Sequence, residues 1–166
     1  MNRMIEMITS TTTLTMTRRF EFTAERVFDA WVNPEMMSKW LFNPEEKANF
    51  VENDFCVGGS YRIRDPKEGE AIGKYLEIDK PFKLVFTFQI PKYSETIDRI
   101  TVLLEPIDGG CEMTFTQEIV VPHEQGWTTE DIEKAHREFR DGSEQGWNNM
   151  FDVLVKHLSN RNNPQK

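Results

Sequence analysis

The sequence predicts an α+β fold in which an antiparallel sheet of about seven strands packs against one long C-terminal helix, in the order β-α-α-β6-α. Three observations carry this. Apolar residues alternate near the N-terminus, short β-rich runs separated by turn residues fill the middle, and the last segment carries an apolar stripe at helical spacing.

In the first element, Leu14, Met16, Arg18, Phe20 and Phe22 fall on one parity and Thr15, Thr17, Arg19 and Glu21 on the other. Alternation of this kind in a Thr-rich setting marks a half-buried strand. Thr23 is an N-cap for "AERVFDAWVN", whose apolar face is Val27, Ala30 and Trp31. Pro34 suits the first turn of a second short helix, "PEMMSKWLF", ending before Asn43-Pro44. Gly58-Gly59, Asp65-Pro66, Lys80-Pro81 and Asp108-Gly109-Gly110 then separate the runs "ANFVEN", "SYRIR", "AIGKYLEI", "FKLVFTFQI", "DRITVLLEP" and "CEMTFTQEIV". Strands punctuated in this way form an antiparallel meander, and "EPIDGGCEM" is its clearest hairpin.

At the end of the chain Trp147, Met150, Phe151, Leu154, Val155 and Leu158 share one face of a helix, opposite Asn148, Asn149, Asp152 and Lys156. A sheet with one face to bury and a helix with one stripe to bury most simply cover each other. The tetrapeptide EQGW occurs at 124–127 and again at 144–147, but the flanks differ, so there is no repeat. Trp147 opens the stripe. Trp127 precedes a Thr128/Asp131 capping box and a weak apolar line through Ile132, Ala135, His136 and Phe139. A helix is expected from Thr128 to about Arg140, with Asp141-Gly142-Ser143 ending it or bending it into the terminal helix. Trp127, Ile132 and Phe139 then form a lid over one mouth of the helix–sheet space, or a surface insertion.

The chain has 166 residues, 38% of them hydrophobic and 29% charged, which fits one globular domain. Residues 1–13 read as an N-terminal tail, 14–160 as the domain with 122–140 inserted, and 161–166 as a C-terminal tail. No run of eighteen apolar residues is present, so no membrane insertion is expected. The N-terminus lacks the apolar core of a secretion signal, and two cysteines do not make a disulfide framework; the expected location is cytoplasmic. A net charge of −8 without a basic stripe argues against nucleic acid.

Catalytic and metal patterns are not found. His123, His136 and His157 do not stand at ligand spacing, no G-x-S-x-G occurs, and neither Cys56 nor Cys111 has a neighbour that lowers its pKa. Gly58-Gly59 lies between strands and is a turn, not a phosphate loop. No metal, cofactor or catalytic residue is therefore expected.

The stretches "TRRFEFTAERVFDAWVNPEMMSKWLF", "VENDFCVGGSYRIRDP", "GKYLEIDKPFKLVFTF", "ITVLLEPIDGGCEMTFTQE" and "RDGSEQGWNNMFDVLVKHL" together resemble the activator-of-heat-shock-ATPase homologue family of the START-like superfamily. The likeness runs from about Leu14 to Leu158. It implies a helix-grip fold, shared with birch-pollen-allergen-type proteins: a curved sheet gripping the C-terminal helix, with a cavity that admits an apolar ligand. The chain departs from the family pattern in a longer segment from Pro122 to about Arg137, and in Gln117 where many relatives carry His.

Strand parity then nominates the residues around a guest. Tyr61 and Ile63 share a face, as do Leu84, Phe86 and Phe88, and Met113, Phe115 and Gln117; Trp40, Trp147, Met150 and Phe151 close the space. The same residues would equally make an ordinary packed core. Gln117 needs a partner there, either a ligand oxygen or a backbone group. Arg18 would meet either an anionic ligand head or a carboxylate at the sheet edge. The functional expectation is non-catalytic binding of a small hydrophobic or aromatic, lipid-like molecule, in a carrier, sensor or stress-related role, by a monomer or homodimer. The alternatives are a chaperone-associated interaction module and a polyketide cyclase-like or hydrolase-like enzyme.

Overall fold

The computed structural model describes residues 8–43, 46–67 and 69–161. Its elements follow the expected order: β1 (Thr9–Phe20), α1 (Ala24–Val32), α2 (Pro34–Trp40), β2 (Phe50–Asn53), β3 (Ser60–Arg64), β4 (Glu70–Asp79), β5 (Lys83–Phe88), β6 (Asp98–Ile107), β7 (Gly110–Pro122) and α3 (Thr129–Arg161). One seven-stranded sheet has the order β1-β7-β6-β5-β4-β3-β2, with every neighbouring pair antiparallel.

Local chemistry explains the boundaries. The Thr23 hydroxyl accepts from the Arg26 N–H at 3.2 Å and starts α1. The Asn33 side chain accepts from Glu35 and Met36, with Pro34 in the first turn of α2. Asp108-Gly109 turns β6 into β7, and Gly109 takes a φ of +83°, which only glycine adopts freely. Thr128 and Asp131 cap α3 reciprocally, side chain to backbone N–H in both directions, at 2.9 and 3.1 Å.

Three expected boundaries are corrected. Residues 9–13, read as tail, belong to β1, because the 13-residue β7 offers them partners from Pro122 back to Glu118. α2 stops at Trp40, and Phe42 lies outside it in a left-handed conformation. The stop at Asp141-Gly142-Ser143 is absent: α3 runs through it for 33 residues. A glycine in a helix costs only about 1 kcal/mol, less than the docking of the apolar stripe that follows it returns.

The concave face of the sheet is covered by all three helices. α3 lies against β1 and β7, α1 against β6 and β7, and α2 against β2 and α3. Parity along β7 is strict: Cys111, Met113, Phe115, Gln117, Ile119 and Val121 are buried, and the residues between them are not. Trp147, Met150, Phe151, Leu154 and Leu158 of α3 are buried against that face.

Candidate functional site

The residues nominated by parity meet in one core, and an unexpected side chain stands at its centre. The ring of Trp31, on α1, lies 4.8 Å from Trp40, 5.9 Å from Phe86 and Trp147, and 6.2 Å from Phe115 and Phe151. Offset and edge-to-face spacings of this kind are favourable aromatic geometries. Tyr61 joins through Phe86 at 5.7 Å, while Ile63 and Met113 are buried in the same core. Burial pushes the Tyr61 phenol well above its usual range, with Tyr75 adding to the shift; the hydroxyl donates to the Thr87 carbonyl at 2.6 Å.

Two polar features stand out. Trp40 donates its indole N–H to the Ala30 carbonyl at 2.9 Å, but Trp31, 1% exposed, has no acceptor for its own among the described residues. Gln117 finds its partners in two side chains and not in a backbone group. Its carbonyl accepts from the Trp147 indole N–H at 3.0 Å, and its amide donates to Asp98 at 2.8 Å. Asp98 also accepts from the Val120 N–H at 2.9 Å. Burial pushes the Asp98 carboxyl above its usual range, against both of these hydrogen bonds, which favour the ionised form.

At the edge of this core, the half-buried Phe88 stacks on Phe42, with centroids 4.7 Å apart and planes 7° from parallel. Phe42 also meets Trp147 edge-on at 5.4 Å, and its backbone N–H donates to the Met150 sulfur at 3.0 Å. Sequence reasoning missed Trp31, Phe42 and Asp98 as site residues. Asp98 was within reach, since it shares the parity of Ile100, Val102 and Leu104 on β6. Phe42 was not, because nothing in its residue type announces a left-handed backbone.

Other nominated residues fall elsewhere. Arg18 pairs with Asp152 of α3 at 3.0 Å and lies over the Phe151 ring, so its carboxylate is on the helix and not at a sheet edge. Trp127 is half-buried beside His123 at 5.5 Å; Ile132 is half-buried and Phe139 exposed. His123 and His136 both meet the Ser10 hydroxyl, at 2.6 and 2.7 Å, and His157 meets Glu46 at 2.8 Å. Among the described residues, no three His, Cys, Asp or Glu side chains converge as metal ligands. Burial, and then the charge of Glu25, pushes the Cys111 thiol up to about 11, where it is a poor nucleophile at neutral pH. A cleft of about 720 Å3 opens over β2–β5, lined by Glu52, Arg62, Lys74, Gln89 and Ile97; Tyr61 is the nominated residue that reaches it.

A curved antiparallel sheet closed over a long C-terminal helix defines a helix-grip protein. The chain belongs to the family described as "Activator of Hsp90 ATPase homolog 1-like protein", whose model matches residues 21–159. Among solved structures it is similar to SA2116 from Staphylococcus aureus, a protein of unknown function, at 25% identity and a TM-score of 0.80, covering 92% of this chain and 98% of that one. It is also similar to CV1439 from Chromobacterium violaceum (21% identity, TM-score 0.66, 87% and 94% covered). The same holds for MLL2253 from Mesorhizobium loti (19%, 0.67, 90% and 98%). A search of curated proteins gave no match. Family and fold together support a role in ligand binding or of the Hsp90-ATPase-activator type. No helix among the described residues is long and apolar enough to cross a membrane.

Proposed function

We propose that the protein binds, without turning it over, a small molecule with an apolar or aromatic body and one oxygen acceptor, between the sheet and α3. The observation that carries this is the Trp31 indole N–H, buried and without an acceptor. An unsatisfied buried donor costs about 1–3 kcal/mol. The rings around it (Trp40, Phe86, Phe115, Trp147 and Phe151) carry no oxygen acceptor, and a buried water would need two to four polar partners of its own. A carbonyl or hydroxyl oxygen on an apolar guest satisfies the donor and keeps the shell dry.

The test has two arms. Native mass spectrometry of freshly purified protein is expected to show a retained small molecule that leaves on mild activation. In calorimetric titration, indanone, which has a carbonyl, should bind about tenfold tighter than indane, which has none, as one neutral hydrogen bond implies. Trp31→Phe should abolish that preference. A folded Trp31→Phe protein that still prefers indanone equally would sink the reading.

A further inference from the structure

We propose that Phe42 fills, in the guest-free protein, the slot that a planar aromatic ring of the guest takes between Phe88 and Trp147. The inference rests on the binding function proposed above and narrows its ligand class to flat aromatic molecules.

The first argument is geometry. Phe42 lies parallel to Phe88, 4.7 Å away and 7° off, and presents an edge contact to Trp147. A parallel Phe88 face with an indole in edge contact nearby suits a flat aromatic ring better than a flexible alkyl chain. Trp147 is also the link inward: its ring is 5.9 Å from Trp31, whose N–H lacks an acceptor. A fused aromatic guest stacked on Phe88 therefore lies one indole away from that donor, and its oxygen reaches the donor only past the Trp147 edge.

The second argument is the tether. Phe42 has a φ of +53°, a conformation that residues with large side chains rarely adopt. Its N–H is held by a thioether sulfur, a weak acceptor, and its carbonyl accepts from the Asn49 amide at a long 3.5 Å. The residues beside it are anchored far better. Trp40 is fully buried with its indole bonded to Ala30, and the Asn43 side chain bonds Ser38, Lys47 and the Lys47 N–H. Phe42 is thus a strained, half-buried residue between two fixed ones, and rotation about its side-chain torsions takes the ring out of the slot while Trp40 and Asn43 stay in place. A guest stacked on Phe88 then restores the aromatic contacts that the departing ring gives up.

The test is calorimetric titration of the full chain with indanone and, as a flexible control, decanoic acid. Phe42→Gly removes the plug and accepts the positive φ, so indanone should bind about tenfold tighter than to the wild type, with no gain for decanoic acid. Acrylamide should also quench tryptophan fluorescence more strongly in the variant, as Trp147 loses its cover. Phe42→Ala, which keeps the backbone strain, serves as the second variant and should gain in the same direction. Equal or weaker indanone binding by both variants, with the wild type binding, makes Phe42 a wall of the site and overturns the plug while leaving the binding function intact. Tighter binding by Phe42→Gly with no effect of Trp31→Phe on the indanone preference overturns the Trp31 contact instead. Absence of binding in all of these proteins overturns both.

Discussion

From Trp147 to Leu158, α3 turns Trp147, Met150, Phe151, Leu154 and Leu158 into the core, whereas from Thr129 to Gly146 the same helix buries only Ala135. The second half is held by apolar area removed from water, about 1.5–3 kcal/mol for each large side chain fully buried. The first half is held by polar contacts: the Thr128/Asp131 capping box, His136 on Ser10, and Arg140 on Thr12. Hydrogen bonds of this kind contribute about 0.5–1.5 kcal/mol each, because folding exchanges them for bonds to water. One continuous helix therefore contains a half that belongs to the core and a half expected to open at lower free energy. The two EQGW copies mark the contrast, with Trp147 buried in the core and Trp127 half-buried beside His123 ahead of the helix.

The contrast breaks most directly at Phe151, which is fully buried and in ring contact with Trp31, Trp40, Phe115 and Trp147. Phe151→Ala is expected to cost about 3–5 kcal/mol in urea unfolding. Phe139→Ala, at an exposed position in the first half, should fall within about 0.5 kcal/mol of the wild type. Comparable losses for the two would erase the distinction between the halves.

The next effect lies at the junction, where Gln117 satisfies the Trp147 N–H and donates to Asp98. Gln117→Leu should cost about 1–3 kcal/mol at neutral pH, since it strands a buried donor and removes one of the bonds to a buried carboxylate. Its pH dependence has a defined sign. Burial raises the folded-state pKa of Asp98 above the ordinary carboxylate value, so the native protein holds this proton more tightly than the unfolded chain. The resulting stability is fully present below the unfolded pKa and is lost as pH rises through the folded one. Losing the Gln117 amide raises the folded value further, so the deficit of Gln117→Leu should shrink as the pH is lowered into the carboxylate range. A deficit that grows on acidification would place the cost elsewhere than on the ionised Asp98.

A smaller loss tests the first half alone. Thr128→Ala removes the cap oxygen and should cost about 0.5–2 kcal/mol of local helix stability. Hydrogen exchange should speed up over the first turns of α3, with little change between Trp147 and Leu158. Uniform acceleration along the helix would show that it opens as a unit.

These contrasts also mark what the sequence could reveal. The period of two in β7 and the apolar stripe of α3 were legible because each buried face repeats at the period of its element. The layers and the members of the core followed from that. The central position of Trp31 was not legible, since periodicity places a residue on a face but says nothing of which of three helices fills the hollow of the sheet. The sequence places Phe42 at the end of a helix, because the residue types that favour a left-handed backbone are glycine, asparagine and aspartate. Asp141-Gly142-Ser143 has the composition of a helix stop, and the docking of Trp147 and the residues after it overrides that local preference.

The smallest expected effect is a gain. Gly142 lies within α3, and a Cβ built on it meets no heavy atom within 4 Å. Gly142→Ala therefore restricts the unfolded chain without a clash and should stabilise the helix locally by about 0.5–1 kcal/mol. Where that gain registers decides how the two halves are coupled. If the first half opens before the rest of the protein, the substitution slows hydrogen exchange from 129 to 146 and leaves the urea midpoint of global unfolding almost where it was. If α3 is one cooperative unit, the full gain moves the midpoint and exchange slows equally through Leu158. The polar anchoring of the first half predicts the former, and a shifted midpoint with uniform protection would show that Ser10, Thr12 and the cap bind it as firmly as the apolar stripe binds the second.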